Sequence, residues 1–318
     1  MNVLTQGIQY DVDNVDRGRL THWHCSSSPR FLLNALAHDI QSIPRSDRPS
    51  IMDADMARYT IGFEVEKTRF RRGARKHYPL FAGFERDSSC GVEAITNVLP
   101  LLPRSEWRTK VFSLMYDAEK IIDSKYSPTD YNCGGHTTVG IAGCSGDEIM
   151  LRLRPYMGIV YSLWRKRLKN GYCNGNLNLR TRAETQSQGI MGRWGGRYQA
   201  ILVKNGCVEF RLINKFDSVA QMIRRYELFY TLIRNSNKRG MTLDKMWKLV
   251  EPIVRMMYKS DFQGDELDYK MTELKSYADS FQLCINHFHE WAEEDGGTWY
   301  VFENDRIPAN VREFVKRD

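Results

Sequence analysis

Between Tyr59 and Phe70 the sequence alternates, and the alternation sets two carboxylates on one side of an extended segment. Side chains switch faces at each step of a strand, so Glu64 and Glu66 share one face while Phe63 and Val65 share the other. Such a segment reads as a strand, and a strand needs partners. Tyr78–Arg86 and Gly91–Leu99 read as two more, split by the turn-like Asp87-Ser88-Ser89-Cys90. His136–Ala142 reads as a strand entered through Gly134-Gly135. Arg197–Val203 and Cys207–Ile213 read as a hairpin across Lys204-Asn205-Gly206.

Helices are interspersed with these strands. Ser105–Asp123 is amphipathic, with Trp107, Val111, Leu114, Met115, Ala118 and Ile122 on one side. Asp147–Lys169 reads as a long helix that Pro155 should kink or start, and Gly171 is placed to end it. The last third reads as Ser218–Arg234, Leu243–Tyr258 and about Leu267–Ala292. Residues 171–196, rich in glycine and with Arg180, Arg182 and Arg193, read as a long mobile loop. Hairpins with helices between them predict an α+β plan, an antiparallel sheet with helices packed on one face. Three regions are expected: an irregular extension over 1–58 with a short helix at Arg30–Ile40, a core over 59–235, and a helical region over 236–318 packed on that core.

The 318 residues are 42% hydrophobic and 27% charged, an ordinary globular composition. No apolar run is long enough to span a membrane, and the first residues carry no basic head or apolar stretch of a secretory signal, so a cytoplasmic location is expected. The seven scattered cysteines contain no CxxC pair and read as reduced thiols. The formal charge of +7 suits nucleic acid and anionic nucleotides equally.

Four segments carry groups that a core strand would not ordinarily hold. Glu64 and Glu66 on one face repel each other unless a cation or water screens them, and hard divalent ions take oxygen ligands of this kind; a solvated polar face is the plain alternative. Asp87 ends one strand, and Glu93 interrupts the mostly apolar run Val92–Leu102, where a buried carboxylate needs a partner or a metal. In Gly134-Gly135-His136 the glycines allow close approach and His136 projects at a strand start. In Cys207-Val208-Glu209-Phe210-Arg211-Leu212, Glu209 and Arg211 share a face, where a surface ion pair is the plain reading.

In this order the series (ExE, Asp-x5-Glu, GGH, Arg-Tyr at 197–198, then VEFR) resembles the amidoligase family of carboxylate–amine ligases, relatives of γ-glutamylcysteine synthetase and glutamine synthetase. The resemblance spans about Tyr59 to Tyr230 and rests on short motifs. It implies a glutamine-synthetase-like antiparallel sheet, ATP and magnesium as cofactors, and amide formation between a carboxylate substrate and an amine substrate through an acyl phosphate. Either substrate could be an amino acid, peptide or protein. The resemblance implies Glu64, Glu66, Asp87, Glu93, His136 and Glu209 as metal ligands. It implies His136, Arg167, Arg197 and Arg211 at the nucleotide, and Glu64, Glu93 and Arg211 as the catalytic groups. Of the arginines just past the ExE strand, Arg69, Arg71 and Arg72, the first and last could add positive charge.

A magnesium nuclease or a basic nucleic-acid-binding protein is the alternative, since acidic clusters on a positive chain suit it. The common nuclease pattern puts a lysine two residues after its glutamate, on the same face. Here Lys67 directly follows Glu66 and falls on the opposite face. Nucleic acid is therefore not the expected partner. His22-Trp23-His24-Cys25 packs three zinc-type ligands into four residues, but no second cluster completes a tetrahedral site. Asn286–Glu290 lacks the i, i+4 histidines of a metalloprotease helix and reads as structural.

Overall fold

The computed structural model describes residues 58–70, 78, 80–87, 89–96, 98–122, 132–170, 172–173, 200–204 and 206–294. The expected helix at Arg30–Ile40, the His22–Cys25 cluster, Arg71, Arg72 and all of the loop 171–196 except Tyr172 and Cys173 lie outside these residues. The fold mixes helices with a curled antiparallel sheet. Its seven strands are β1 (Tyr59–Lys67), β2 (Phe81–Asp87), β3 (Gly91–Thr96), β4 (Leu99–Pro100), β5 (Thr137–Ile141), β6 (Ile201–Lys204) and β7 (Cys207–Phe210). Their order is β2-β3-β1-β5-β7-β6, with β4 paired to β1 off this path. No helix among the described residues is long and apolar enough to cross a membrane.

Two compact units interleave along the chain. Among the described residues, the first takes those up to Gly146 together with Lys204–Val208 and Asn214–Tyr226; the second takes the rest.

In the first unit, β1 runs between β3 and β5. Glu64 lies opposite Ile95 and Glu66 opposite Glu93 on one side; Gly62 lies opposite Thr138 and Phe63 opposite Thr137 on the other. All nine residues of β1 are buried, so both of its faces are covered. An antiparallel strand commonly leaves one face in water, and here the acidic face is enclosed as well. On the apolar face Phe63 meets Phe216 edge-on at 5.5 Å. Lys67 Nζ donates to the carbonyls of Ile122 (2.9 Å) and Phe216 (2.8 Å). The Tyr226 phenol accepts from Leu102 N and donates to Pro100 O, which pins the segment after β4.

The Ser105 hydroxyl accepts the Arg108 amide and starts α1 (Glu106–Asp117). The single helix expected over Ser105–Asp123 is instead two. Ala118 leaves helical geometry at φ −94° and ψ 11°, and α2 (Glu119–Ile122) follows.

The second unit is mainly helical, with most of β6 and the end of β7: its helices are α3 (Gly146–Leu153, from Asp147 on), α4 (Met157–Leu163), the later part of α5 (Val219–Ser236), α6 (Leu243–Tyr258) and α7 (Gly264–Glu294). The long helix expected over Asp147–Lys169 is broken. A 3-10 turn, Arg154–Tyr156, separates α3 from α4, because Pro155 has no amide hydrogen to continue the ladder. A second 3-10 segment, Arg165–Lys169, follows α4. Every residue of α4 is buried. Gly158 N donates to Gln282 Oε1 at 3.0 Å, and Tyr161 packs against Phe281 with ring centroids 5.9 Å apart. Only glycine fits at position 158, since a Cβ there would lie 2.1 Å from Ala278 O on α7.

Candidate metal centre

The pairing of β1 with β5 continues one step past the strand, where Glu64 N donates to His136 O at 3.0 Å. That bond fixes the ring of His136 beside the acidic face of β1. Upstream, Gly134 bridges Asn214. Gly135 sits where a Cβ would lie 2.5 Å from both Arg225 Nη1 and Asn214 O. Arg225 is held there by Asn214 O (2.8 Å), Asn214 Oδ1 (2.7 Å) and Lys215 O (3.0 Å), with its guanidinium over the Phe216 ring. Gly135 is thus needed for close approach, as a Gly-Gly-His entry suggests.

His136 Nδ1 lies 2.7 Å from Glu64 Oε2, and its Nε2 lies 3.2 Å from Glu66 Oε1. The other Glu66 oxygen accepts the Gly134 amide in a short hydrogen bond. All three side chains are buried. Carboxylates withdrawn from water require strong compensation. The donor atoms of Glu64, Glu66 and His136 lie within 4.8 Å of one another, and the set of two carboxylates and an imidazole suits a hard or borderline divalent ion.

Glu93 stands across the ladder from Glu66 and is also buried. Its Oε1 is 3.9 Å from Cys90 Sγ. Asp87 closes the β2–β3 turn, where Oδ1 accepts the Ser89 amide (2.6 Å), the Ser89 hydroxyl in a short bond, and the Cys90 amide (3.1 Å). Burial pushes its carboxyl upward, but the hydrogen bonds from Ser89 and Cys90 outweigh burial and hold it below the usual carboxylate value.

Two cysteines join these groups. In the sequence they read as plain reduced thiols. The donor atoms of Glu66, Cys90 and Cys133 lie within 4.8 Å of one another, as do those of Asp87, Cys90 and Glu93. The Cys90 thiol is pushed up by its hydrogen bond with Cys133, then by burial, then by the charges of Glu66 and Glu93. The only signal in the sequence was position: Cys90 opens β3 three residues before Glu93, and Cys133 immediately precedes Gly134-Gly135-His136.

The first unit therefore gathers Glu64, Glu66, Asp87, Glu93 and His136 into overlapping groups that share Glu66 and Cys90. Glu209, Arg211 and Arg167 belong to the second unit. There Arg211 Nη1 pairs with Glu209 Oε1 at 2.7 Å; Glu209 is fully enclosed and Arg211 half-buried, so this is not a surface pair. The amides of Arg211 and Leu212 both donate to Ala200 O and fix the end of β7. Arg167 is buried in the 3-10 segment, where its carbonyl accepts from Asn170 N and from the Cys173 thiol. Arg197 and Tyr198 lie outside the described residues, and Arg69 is exposed just past β1.

No protein-family model and no curated protein matches the chain.

Proposed function

We propose that this chain is an ATP- and magnesium-dependent carboxylate–amine ligase on a glutamine-synthetase-like sheet. The observation that carries this reading is the buried Glu64–His136–Glu66 group, with Glu93 opposite Glu66, on the enclosed face of an antiparallel strand. Enclosing several carboxylates on one face makes physical sense where cations occupy that face.

Glu64, Glu66, Glu93 and His136 would hold magnesium, with Asp87 shaping the adjoining turn. When bound, the metal would neutralise negative charge on the transferring phosphoryl group. The protein's own residues do the rest. His136 orients Glu64 through Nδ1 at 2.7 Å, and its Nε2, beside Glu66 Oε1, would turn to the metal. The Gly134 amide holds one Glu66 oxygen, and the Arg225 clamp on Asn214 backs the glycine pair. In the second unit Glu209 pairs with Arg211; that Arg211, Arg167 and Arg197 meet phosphate oxygens is what the resemblance to the amidoligases implies. ATP would phosphorylate the carboxylate substrate to an acyl phosphate with release of ADP. The amine substrate would then attack the acyl carbon, form the amide and release phosphate. Reduced cysteines among the described residues fit a reducing compartment, and we place the protein in the cytoplasm.

The magnesium-nuclease alternative needs a lysine facing the metal. Lys67 is instead buried with its ammonium on the Ile122 and Phe216 carbonyls, which weighs against it.

Magnesium-ATP should raise the thermal midpoint of the protein, and duplex DNA should not. Mixtures of candidate acids and amines, read by mass spectrometry and by amine-dependent ADP release, should yield an amide. Glu64→Gln should lower that ADP release by about 100-fold or more while the protein stays folded. Undiminished activity in this variant, or stabilisation by DNA rather than by magnesium-ATP, would overturn the reading.

A further inference from the structure

We propose that Cys90, Cys133, Glu66 and Glu93 form a second site, for a thiophilic divalent cation with zinc as its natural occupant, which adjoins the magnesium face and draws on two of its carboxylates. The four side chains are all buried, and they come from four places in the first unit: β1, the β2–β3 turn, β3, and the residue before the Gly134 bridge. Three donor atoms converge, and the fourth adjoins one of them. Those of Glu66, Cys90 and Cys133 lie within 4.8 Å of one another, and Cys90 Sγ is 3.9 Å from Glu93 Oε1. Zinc bonds of about 2.0–2.3 Å at a tetrahedral centre set neighbouring donors roughly 3.4–3.8 Å apart, so small shifts would bring Glu66, Cys90 and Cys133 onto one ion, with Glu93 approaching from beside Cys90.

An ordinary buried cysteine packs against apolar side chains and stays inert. Cys90 instead hydrogen-bonds with Cys133 and lies 3.9 Å from Glu93 Oε1, and both sulfurs lie within 4.8 Å of a Glu66 oxygen. Their sulfur contacts to main chain are long ones, 3.6 Å from Cys90 to Val92 O and 4.0 Å from Cys133 to Cys90 O. Thiols so placed are soft donors beside hard ones, a set that magnesium does not select and zinc accepts. On binding, each thiol loses a proton to solvent and binds as thiolate. Two thiolates and two carboxylates around a divalent ion carry the same formal charge as a four-thiolate zinc site.

The site goes beyond the ligase reading and stands on the two thiols, so it holds whether or not the chain uses ATP. Glu66 would lie between the two centres, one oxygen toward His136 and its carboxylate within reach of the thiols.

The experiment uses the full-length chain, stripped with a chelator under a phosphine reductant and titrated with cobalt(II). Cobalt should give the sulfur-to-metal charge-transfer absorption of thiolate ligation, saturating at one ion per chain and displaced by zinc. The band should vanish in Cys90→Ser/Cys133→Ser and persist in Cys173→Ser/Cys284→Ser. Because the double variant could unfold, the unaltered protein supplies a second measurement. In mild denaturant, zinc should slow alkylation of Cys90 and Cys133 at least tenfold, resolved peptide by peptide, and leave Cys284 unchanged. Cobalt binding without the charge-transfer band, a band that survives the double variant, or alkylation indifferent to zinc would each overturn the proposal. A charge-transfer band without stabilisation by magnesium-ATP removes the ligase reading alone; the reverse result removes the thiol site alone.

Discussion

Lys67 is among the most deeply buried charged side chains described here, at 1% exposure. An ammonium withdrawn from water is expensive, and this one is compensated by the Ile122 and Phe216 carbonyls. Lys67→Met keeps the aliphatic stem and removes the donor. It relieves the desolvation of a charge, but it strips both carbonyls of this donor, and an abandoned buried carbonyl costs about 1–3 kcal/mol. The second effect should win, with a net loss of about 1–3 kcal/mol. A fall in the urea midpoint at constant slope would report it. Full stability together with lost phosphoryl or nuclease chemistry would instead give Lys67 a place at the reacting atoms.

At the scale of elements, α4 and α7 meet where Gly158 leaves no room. Gly158→Ala gains about 1 kcal/mol of helix propensity. The new Cβ would fall 2.1 Å from Ala278 O, a main-chain atom that cannot rotate away. Overpacking of this kind costs about 1–3 kcal/mol or more, so the variant should melt lower and exchange amide hydrogens faster across Gly264–Glu294. Other elements were plainer in the sequence. Leu243–Tyr258 is found at the expected bounds, because its apolar period is regular and Thr242 caps it by accepting the Lys245 amide. Pro155 announced a break but not that α3 and α4 would be two helices. Nothing in the sequence marks Ala118 as a break. At the site, the parity of Glu64 and Glu66 was legible because it is local to one strand. The pairing of Glu66 with Glu93, and the meeting of Cys90 with Cys133, depend on how β1, β3 and the segment before β5 assemble. Forty-odd residues separate those thiols, and no spacing rule spans that distance. The enclosure of Glu209 was hidden for the same reason: an exposed carboxylate and an enclosed one read alike in sequence.

For the whole molecule, the response to alkali follows from groups that burial keeps neutral. Tyr258 is moved from 10.0 to about 12, chiefly by burial, and Cys284 from 9.0 to about 12 by burial. Burial moves Tyr161 the same way. All three belong to the second unit. For each, the native chain keeps a proton that the unfolded chain has released once pH passes the ordinary value. The unfolded state then binds fewer protons, and stability falls as pH rises. The stabilisation is complete below about pH 9 and is lost between there and about pH 12, with Tyr258 alone accounting for on the order of 2 kcal/mol at the upper end. Urea midpoints measured from about pH 8 to about pH 11 should therefore decline. Cys284→Ala with Tyr258→Phe should flatten the decline while lowering stability at neutral pH, since both remove packed or hydrogen-bonded atoms, including the Tyr258 bond to Leu163 O. A decline equally steep in the double variant would mean that other groups set the alkaline limit.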